Sequence, residues 1–551
     1  MIIKVGKETY YSSKYPDVII PEISAPELII KSLKSGPSRT IIVDGLSLRE
    51  YSSHEIAEDI EKAAKGFSIL GLKKGEVVGI ILPNVPEYSI VYHGVGLIGG
   101  ISSLINPEYT VDELSKTLAT VNPKFLVCTP AVYQRIKQDL STVFPNVERV
   151  IVISVPNVNA DETNAIAKES KPGLIVSLPQ LLDNDGRPPK VPIDPKKDVA
   201  VIPFSSGTTG LFKGVCLTHF NVIANTYQTQ VIETSTYRKN DTLMGILPFF
   251  HIYGLMLFLM LMLKQGYRVV VLPKFEPVKF LQLIERFKVS ISFVVPPVAL
   301  MFAKSPLIDN YDLSSLRVLF SGAAPLSDNV EREIVNRFKG NITIKQGYGM
   351  TEASPATMVN PYGGERSGSV GLLLPNQIAK IVSTDSGETL DIGARGEICV
   401  KGPNVMLGYY NNEKATQETI DKDGFLHTGD IGYVDEDGYY FVVDRVKELI
   451  KFKGFQIPPA ELEALLLSHP MISDACVVGI DSGDVGEVPR AYVVLKPNQK
   501  LTDKELHEWV NKKVSNYKRF RGGIYFLNQI PKSATGKLLR KDLKNYQPAK
   551  L

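Results

Sequence analysis

The sequence predicts an α/β protein of two unequal parts, and three observations predict it. Over the first two-thirds of the chain, short β-rich apolar runs alternate with amphipathic stretches, the pattern of layered α/β folds with mostly parallel sheets. From about residue 375 to 443 the pattern changes: Glu397-Ile398-Cys399-Val400 and Tyr439-Tyr440-Phe441-Val442-Val443 are separated by Gly, Asp and Asn turns, as in a small antiparallel β unit. After Asp444-Arg445 a charged stretch leads into a new helical segment, Pro459 to Leu467, and the roughly hundred residues left are enough for a compact α+β domain. The boundary therefore falls at Asp444–Arg445, giving a domain over 1–444, β-rich from about 375, and a second over 445–551.

In chain order, Ile56–Phe67 reads as an amphipathic helix, Val77–Leu82 as a buried strand, Asp112–Leu118 as helix, and Phe125–Cys128 and Val150–Ile153 as strands. Val199–Phe204 and Gly214–Leu217 are strand-like runs that flank a Gly-rich segment. Val269–Leu272, Ile291–Val295 and Val318–Phe320 are further strands, with a helix over Phe280–Phe287. Gly94-Val95-Gly96-Leu97-Ile98-Gly99 fits the dinucleotide-binding spacing, but the preceding strand ends near Leu82, too early for the required strand–turn–helix. Pro86–Val95 reads as helix, so these glycines are expected to serve close helix packing.

Composition excludes several classes. The chain has 551 residues, 44% hydrophobic and 22% charged, the globular range, and more than one domain's worth. A net charge of +3 gives no general pull on nucleic acid. Residues Leu501–Leu551 carry twelve Lys or Arg against four Asp or Glu, a basic face that is either solvated or meets an anionic ligand. Cys128, Cys216, Cys399 and Cys476 are far apart in apolar contexts and read as small buried hydrophobes rather than a disulfide framework. The seven histidines show no metal-ligand spacing. The longest apolar run, Ile252–Leu263, is too short to span a bilayer and reads as a buried helix. The N-terminus shows no signal-peptide core, and Ala549-Lys550-Leu551 is similar to the peroxisomal Ser-Lys-Leu address, so a cytoplasmic or peroxisomal location is expected, with the peroxisomal import receptor as a partner.

The chemistry concentrates in Ser205-Ser206-Gly207-Thr208-Thr209-Gly210-Leu211-Phe212-Lys213-Gly214. Glycines let a backbone turn tightly and bring N–H groups to an anion, while hydroxyls and an ammonium bond phosphate oxygens. It is not a Walker A loop, because Lys213 is followed by Gly214 rather than Ser or Thr. A plain Ser/Gly linker is the bland alternative, and the flanking strands weigh against it.

Further motifs follow in one order: Gln346-Gly347-Tyr348-Gly349-Met350-Thr351-Glu352, Gly396–Gly402, His427-Thr428-Gly429-Asp430, Asp444–Gln456 and Pro531-Lys532-Ser533-Ala534-Thr535-Gly536-Lys537. Together they resemble, over nearly the whole chain, the adenylate-forming enzymes: acyl-CoA synthetases, beetle luciferases and related adenylation domains. Within that superfamily the chain is most similar to the 4-coumarate–CoA ligases. The resemblance implies a large N-terminal α/β domain with a β-barrel-like subdomain and a smaller, mobile C-terminal domain. It implies an acid–thiol ligase that uses a small carboxylic acid, ATP with Mg²⁺, and coenzyme A.

The same resemblance implies residue roles. Ser205, Ser206, Gly207, Thr208, Thr209, Gly210 and Lys213 would hold the β- and γ-phosphates of ATP. Gln346, Gly347 and Tyr348 would line the nucleotide pocket, Thr351 would touch phosphate, and Glu352 would help hold Mg²⁺. Asp430 would bind the ribose, and Arg445 the same ribose or a phosphate. Lys537 would stabilise charge as the adenylate forms. His251, Tyr253 and Ala323 would bound the acyl site, continued by Ala324, Gly349, Ala356 and Thr357, with Lys447 and Lys451 near the acyl-adenylate. Lys274, Lys453 and Gly454 would line the path of CoA. Each has a bland reading when taken alone, a turn residue or a solvated cation, and it is the ordered set that outweighs it.

The acyl pocket departs from the plant ligases. Leu257 stands where those enzymes often carry a Ser six residues after the histidine, Ala356-Thr357 replaces Val-Leu, and Phe212 replaces a Pro. These changes predict a more apolar pocket for a less hydroxylated aromatic acid. Alternatives are a medium- or long-chain fatty acyl-CoA ligase, a luciferase-like enzyme, or a non-catalytic nucleotide-binding protein.

Overall fold

The computed structural model describes residues 1–6, 8–140, 144–154, 174–206, 212–324, 326–452, 455–483, 486–533, 537–544 and 546. The Gly207–Gly210 part of the Gly-rich segment, Lys453, Gly454 and the last three residues lie outside them.

Two large sheets carry the N-terminal part. In the larger, of fifteen strands, Thr40–Asp44, Arg268–Val271, Thr242–Gly245, Ile291–Val294, Val318–Ser321 and Thr343–Gly349 lie side by side and parallel. The eight-stranded sheet has a parallel block from Ile175–Ser177 through Val77–Ile81 to Val199–Ser206. These interior strands are continuous apolar runs because both faces are covered, as in Val77–Ile81, where every residue is buried. Helices Ser53–Ile69, Glu87–Leu97 and His219–Glu233 fill the space between the sheets in one core. Gly94 serves packing there, as expected: a Cβ on it would lie 2.8 Å from Cβ of Ala63.

The antiparallel unit is not a separate body. Ala356–Val359 pairs antiparallel with Thr343–Gly349 and continues the larger sheet through Gly371–Leu373, Tyr439–Arg445, Leu426–Val434, Gly396–Lys401 and Ile378–Val382. An N-terminal hairpin, Ile2–Val5 with Glu8–Ser12, closes that edge. The smaller C-terminal domain has a three-stranded sheet, Ile472–Asp481, Glu487–Leu495 and Ile524–Phe526, under helices Pro459–Leu467 and Asp503–Asn511, with its own core around Leu462, Val477, Val493, Val510 and Phe520.

The apolar run at 252–263 is a buried helix, and the middle of it, Leu255–Leu261, is wound as a π-helix. The wider turn re-aims its side chains, and Met256, Leu257 and Leu261 face the cavity described below. All four cysteines are buried and unpaired. No helix among the described residues is long and apolar enough to cross a membrane.

Candidate active site

Both domains line one cavity of about 700 Å³. Its rim is the hairpin of Val199–Ser206 and Phe212–Thr218, which sets Ser205 opposite Lys213 and both on the wall. The Lys213 ammonium sits 4.5 Å over the ring of Tyr409, an aromatic that shields one side of the cation and leaves the other for an anion.

The end of strand Thr343–Gly349 forms the next wall. The Tyr348 hydroxyl donates to Oδ2 of Asp430 at 2.5 Å. Thr351 and Glu352 follow in a short 3₁₀ turn, both buried and both on the cavity. Oε1 of Glu352 accepts from the Tyr409 hydroxyl at 2.8 Å, and the carboxylate has no salt bridge among the described residues. Gln346 does not face the cavity. Its amide is held by the backbone of Leu326 at 3.1 and 3.2 Å and by Glu331 at 2.6 Å, so the reading of its side chain as pocket lining is corrected. Thr357 likewise turns inward, its hydroxyl donating to the Tyr348 carbonyl at 3.2 Å.

Asp430 is 5% exposed and one layer behind Gly429. Arg445 Nε lies 3.1 Å from its Oδ1 and reaches the cavity. Burial raises the Asp430 carboxyl above its usual range, and the Arg445 guanidinium pulls against it. The loop before Asp430 is set by Glu397, whose Oε1 accepts from the Gly429 N–H at 2.9 Å and whose Oε2 meets His427 Nδ1 at 2.8 Å. Glu397, Cys399 and His427 bring their polar atoms within 4.8 Å of one another, a grouping that histidine spacing alone did not predict.

Lys537 comes from the C-terminal domain and lines the same cavity. Burial lowers its ammonium to about 8, the nearby Arg445 charge adds to that, and Glu448 and Asp430 oppose it. Its charge also helps hold His251, lowered to about 4 mainly by burial, in the neutral form. Three residues on, Arg540 pairs with Glu448 and, at 2.6 Å, with Glu463, tying the Lys537 loop to the segment after Arg445 and to helix Pro459–Leu467.

His251 caps the helix that carries Tyr253, its Nδ1 accepting from the Tyr253 N–H at 3.3 Å. Tyr253 packs over Gly322, where a Cβ would come within 3.0 Å of its ring. Ala323 lines the cavity with φ of +70°, a left-handed conformation that costs an alanine about 1–2 kcal/mol. Lys447 is on the wall; Lys451 and Lys274 are exposed and lie off it. The sequence reading missed Glu233, Tyr237, Phe293 and Phe320, which complete the deep end.

Residues 31–410 match the AMP-binding enzyme family and residues 461–537 match the AMP-binding enzyme C-terminal domain. The chain belongs to the AMP-binding enzyme family. It is 65% identical, over 100% of both chains, to a protein of Dictyostelium discoideum named probable 4-coumarate–CoA ligase 1. It is 39% identical to the 4-coumarate–CoA ligase of Vanilla planifolia, over 98% of this chain and 96% of that one. Among solved structures, ATP-bound MatB of Rhodopseudomonas palustris superposes with a TM-score of 0.83 at 26% identity, covering 95% of this chain and 98% of that chain.

Proposed function

We infer that the chain is an ATP-dependent acid–CoA ligase. The observation that carries this reading is convergence: Lys537 of one domain meets the Tyr348–Asp430–Arg445 cluster and the Thr351–Glu352 turn of the other in a single cavity. In the first step a carboxylate oxygen attacks the α-phosphorus of ATP and pyrophosphate leaves. In the second, a CoA thiolate attacks the acyl carbon and AMP leaves.

Ser205, Lys213 and the segment between them would hold the β- and γ-phosphates. Asp430, buried and fixed by Tyr348 and Arg445, would accept from the ribose hydroxyls. Lys537 would stabilise the charge shared by the carboxylate and α-phosphate as the bond forms. Glu352 and Thr351 offer hard oxygens beside the phosphate region, with no cation paired to them among the described residues, which suits Mg²⁺. Bound there, Mg²⁺ would neutralise phosphate charge. His251, neutral at physiological pH, would close the carboxylate end without adding charge.

The domain boundary belongs at Asp444–Arg445. Asp444 is the last residue but one of the Tyr439–Arg445 strand, and its Oδ2 accepts from the Ala460 N–H of the first C-terminal helix at 2.9 Å. We place the swivel that exchanges Lys537 for a CoA path here. Asp444→Pro, by fixing φ, should impair thioester formation more than adenylation. Comparing acid-dependent pyrophosphate exchange with CoA thioester yield checks this, and equal losses would count against the hinge.

Because only the ammonium form of Lys537 supplies the charge, kcat/KM for ATP should fall as pH rises through about 8. In a Lys537→Arg enzyme that alkaline limb should vanish, since a guanidinium stays charged.

The acid is proposed to be an arylpropenoate of the 4-coumarate kind. Met256, Leu257 and Leu261 on the wall favour a fatty acyl chain as the second reading. A pyrophosphate-exchange screen over aromatic and aliphatic acids tests both, and exchange with no acid at all would overturn the ligase assignment.

A further inference from the structure

The deep end of the cavity holds three buried polar atoms without partners. Glu233, 2% exposed, ends helix His219–Glu233 and lines the cavity. Its Oε1 accepts from the Lys345 ammonium at 2.7 Å, and Lys345, fully buried, also donates to the Thr236 hydroxyl at 2.8 Å. Oε2 of Glu233 has no hydrogen-bond partner among the described residues, and neither have the hydroxyls of Tyr237 and Tyr253, which line the same cavity. The Glu233 charge reaches both phenols and, after burial, is the leading cause that keeps them from ionising. The three groups share one cavity wall and do not satisfy one another. Each unpaired buried group costs about 1–3 kcal/mol, so the arrangement is that of a site built for a polar group.

We propose that Glu233, with the Tyr237 and Tyr253 hydroxyls, recognises the far end of the acid and selects acids bearing a hydrogen-bond donor there, an aryl hydroxyl or aryl amine, over acids ending in hydrocarbon. The proposal rests on the ligase reading and names the substrate class of that site. An ionised carboxylate only accepts, so its partner must donate. Lys345 supplies the counter-charge from behind and cannot itself satisfy Oε2 without leaving Oε1 and Thr236. The surrounding wall is aromatic: Phe293 and Phe320 pack against each other with ring centroids 5.4 Å apart and give the cavity an apolar face on which a flat ring can lie. A fatty acid would bring its methyl end against Oε2 and the two phenols and leave all three unpaired. Leu257 supplies no hydroxyl, so the polar contact comes from the opposite helix instead.

The test measures kcat/KM of the full-length enzyme for four acids with ATP and CoA: 3-phenylpropenoic acid, its 4-hydroxy and 4-amino derivatives, and octanoic acid. At least one donor-bearing acid should exceed the unsubstituted ring by about tenfold or more, and the hydroxy and amino arms tell which donor the site takes. Tyr237→Phe deletes only an unpartnered hydroxyl and should fold, and Glu233→Gln weakens the acceptor. Each should pull the ratio of donor-bearing to unsubstituted acid toward one. Preference for the bare ring or for octanoate overturns the proposal, as does a loss in both variants that is equal for all four acids. If no acid supports pyrophosphate exchange, the ligase reading fails and takes this proposal with it. Exchange without a donor preference sinks this proposal alone.

Discussion

Lys537→Ala should lower acid-dependent pyrophosphate exchange by about 10²–10³-fold, the usual cost of removing one preorganised charge from a developing anion. The ammonium is worth that much because it is held in place and poorly hydrated. Arg540, paired with Glu448 and Glu463, pins the loop from one side, and the Lys537 N–H donates to the Ser533 hydroxyl at 3.1 Å on the other. Burial, the same cause that brings its ammonium down to about 8, also strengthens its field on a phosphate oxygen. The loss should appear in kcat for exchange, with the ATP dissociation constant shifting less, because the carboxylate–phosphorus bond forms only in the transition state. Thioester formation from supplied acyl-adenylate should suffer far less. An alanine enzyme that exchanges pyrophosphate at near the parental rate would remove Lys537 from the chemistry.

The parts of this site that could be read from sequence are those whose chemistry depends on local order. Lys537, Asp430 and Arg445 stand in short ordered motifs, and the structure brings all three to one place. The parallel strands were legible because burial on both faces leaves nothing but apolar residues, as in Val77–Ile81. What escaped is what depends on partners distant in the chain. Gln346 belongs to the same motif as Tyr348, yet its amide is taken by Leu326 and Glu331, which no local pattern announces. Ala323 carries no turn signature although it adopts a left-handed conformation. The π-helical turn at Leu255–Leu261 leaves no mark in an all-apolar run whose every position is buried. Leu257 points to an apolar pocket, whereas Glu233 and Tyr237, which bring polar atoms to the cavity wall, stand at and just beyond the end of a buried helix that no motif singles out. Lys274 and Lys451 are exposed and lie away from the cavity, so their motif positions give the residue type and no contact within it.

Lys345→Met should destabilise the N-terminal domain by about 3–5 kcal/mol, the cost of stranding one member of a buried ion pair. Neither partner can turn to water: Lys345 is 0% and Glu233 2% exposed, and they meet at 2.7 Å. The methionine fills most of the volume, so the loss comes from the charge left on Glu233 and not from a cavity. A Glu233→Met, Lys345→Met double variant should recover most of it, since well-packed apolar residues replace buried ion pairs at little net cost. Thermal and urea unfolding of the parent, both single variants and the double variant give the cycle. Equal stability in the Lys345 single and double variants would show that the pair's charge is not what is being lost. The single variant carries a functional consequence as well. Without the Lys345 ammonium on Oε1, the Glu233 carboxylate is no longer held in one orientation toward the cavity. Discrimination among the ring-substituted acids should then collapse in this variant even below the temperature at which the domain unfolds.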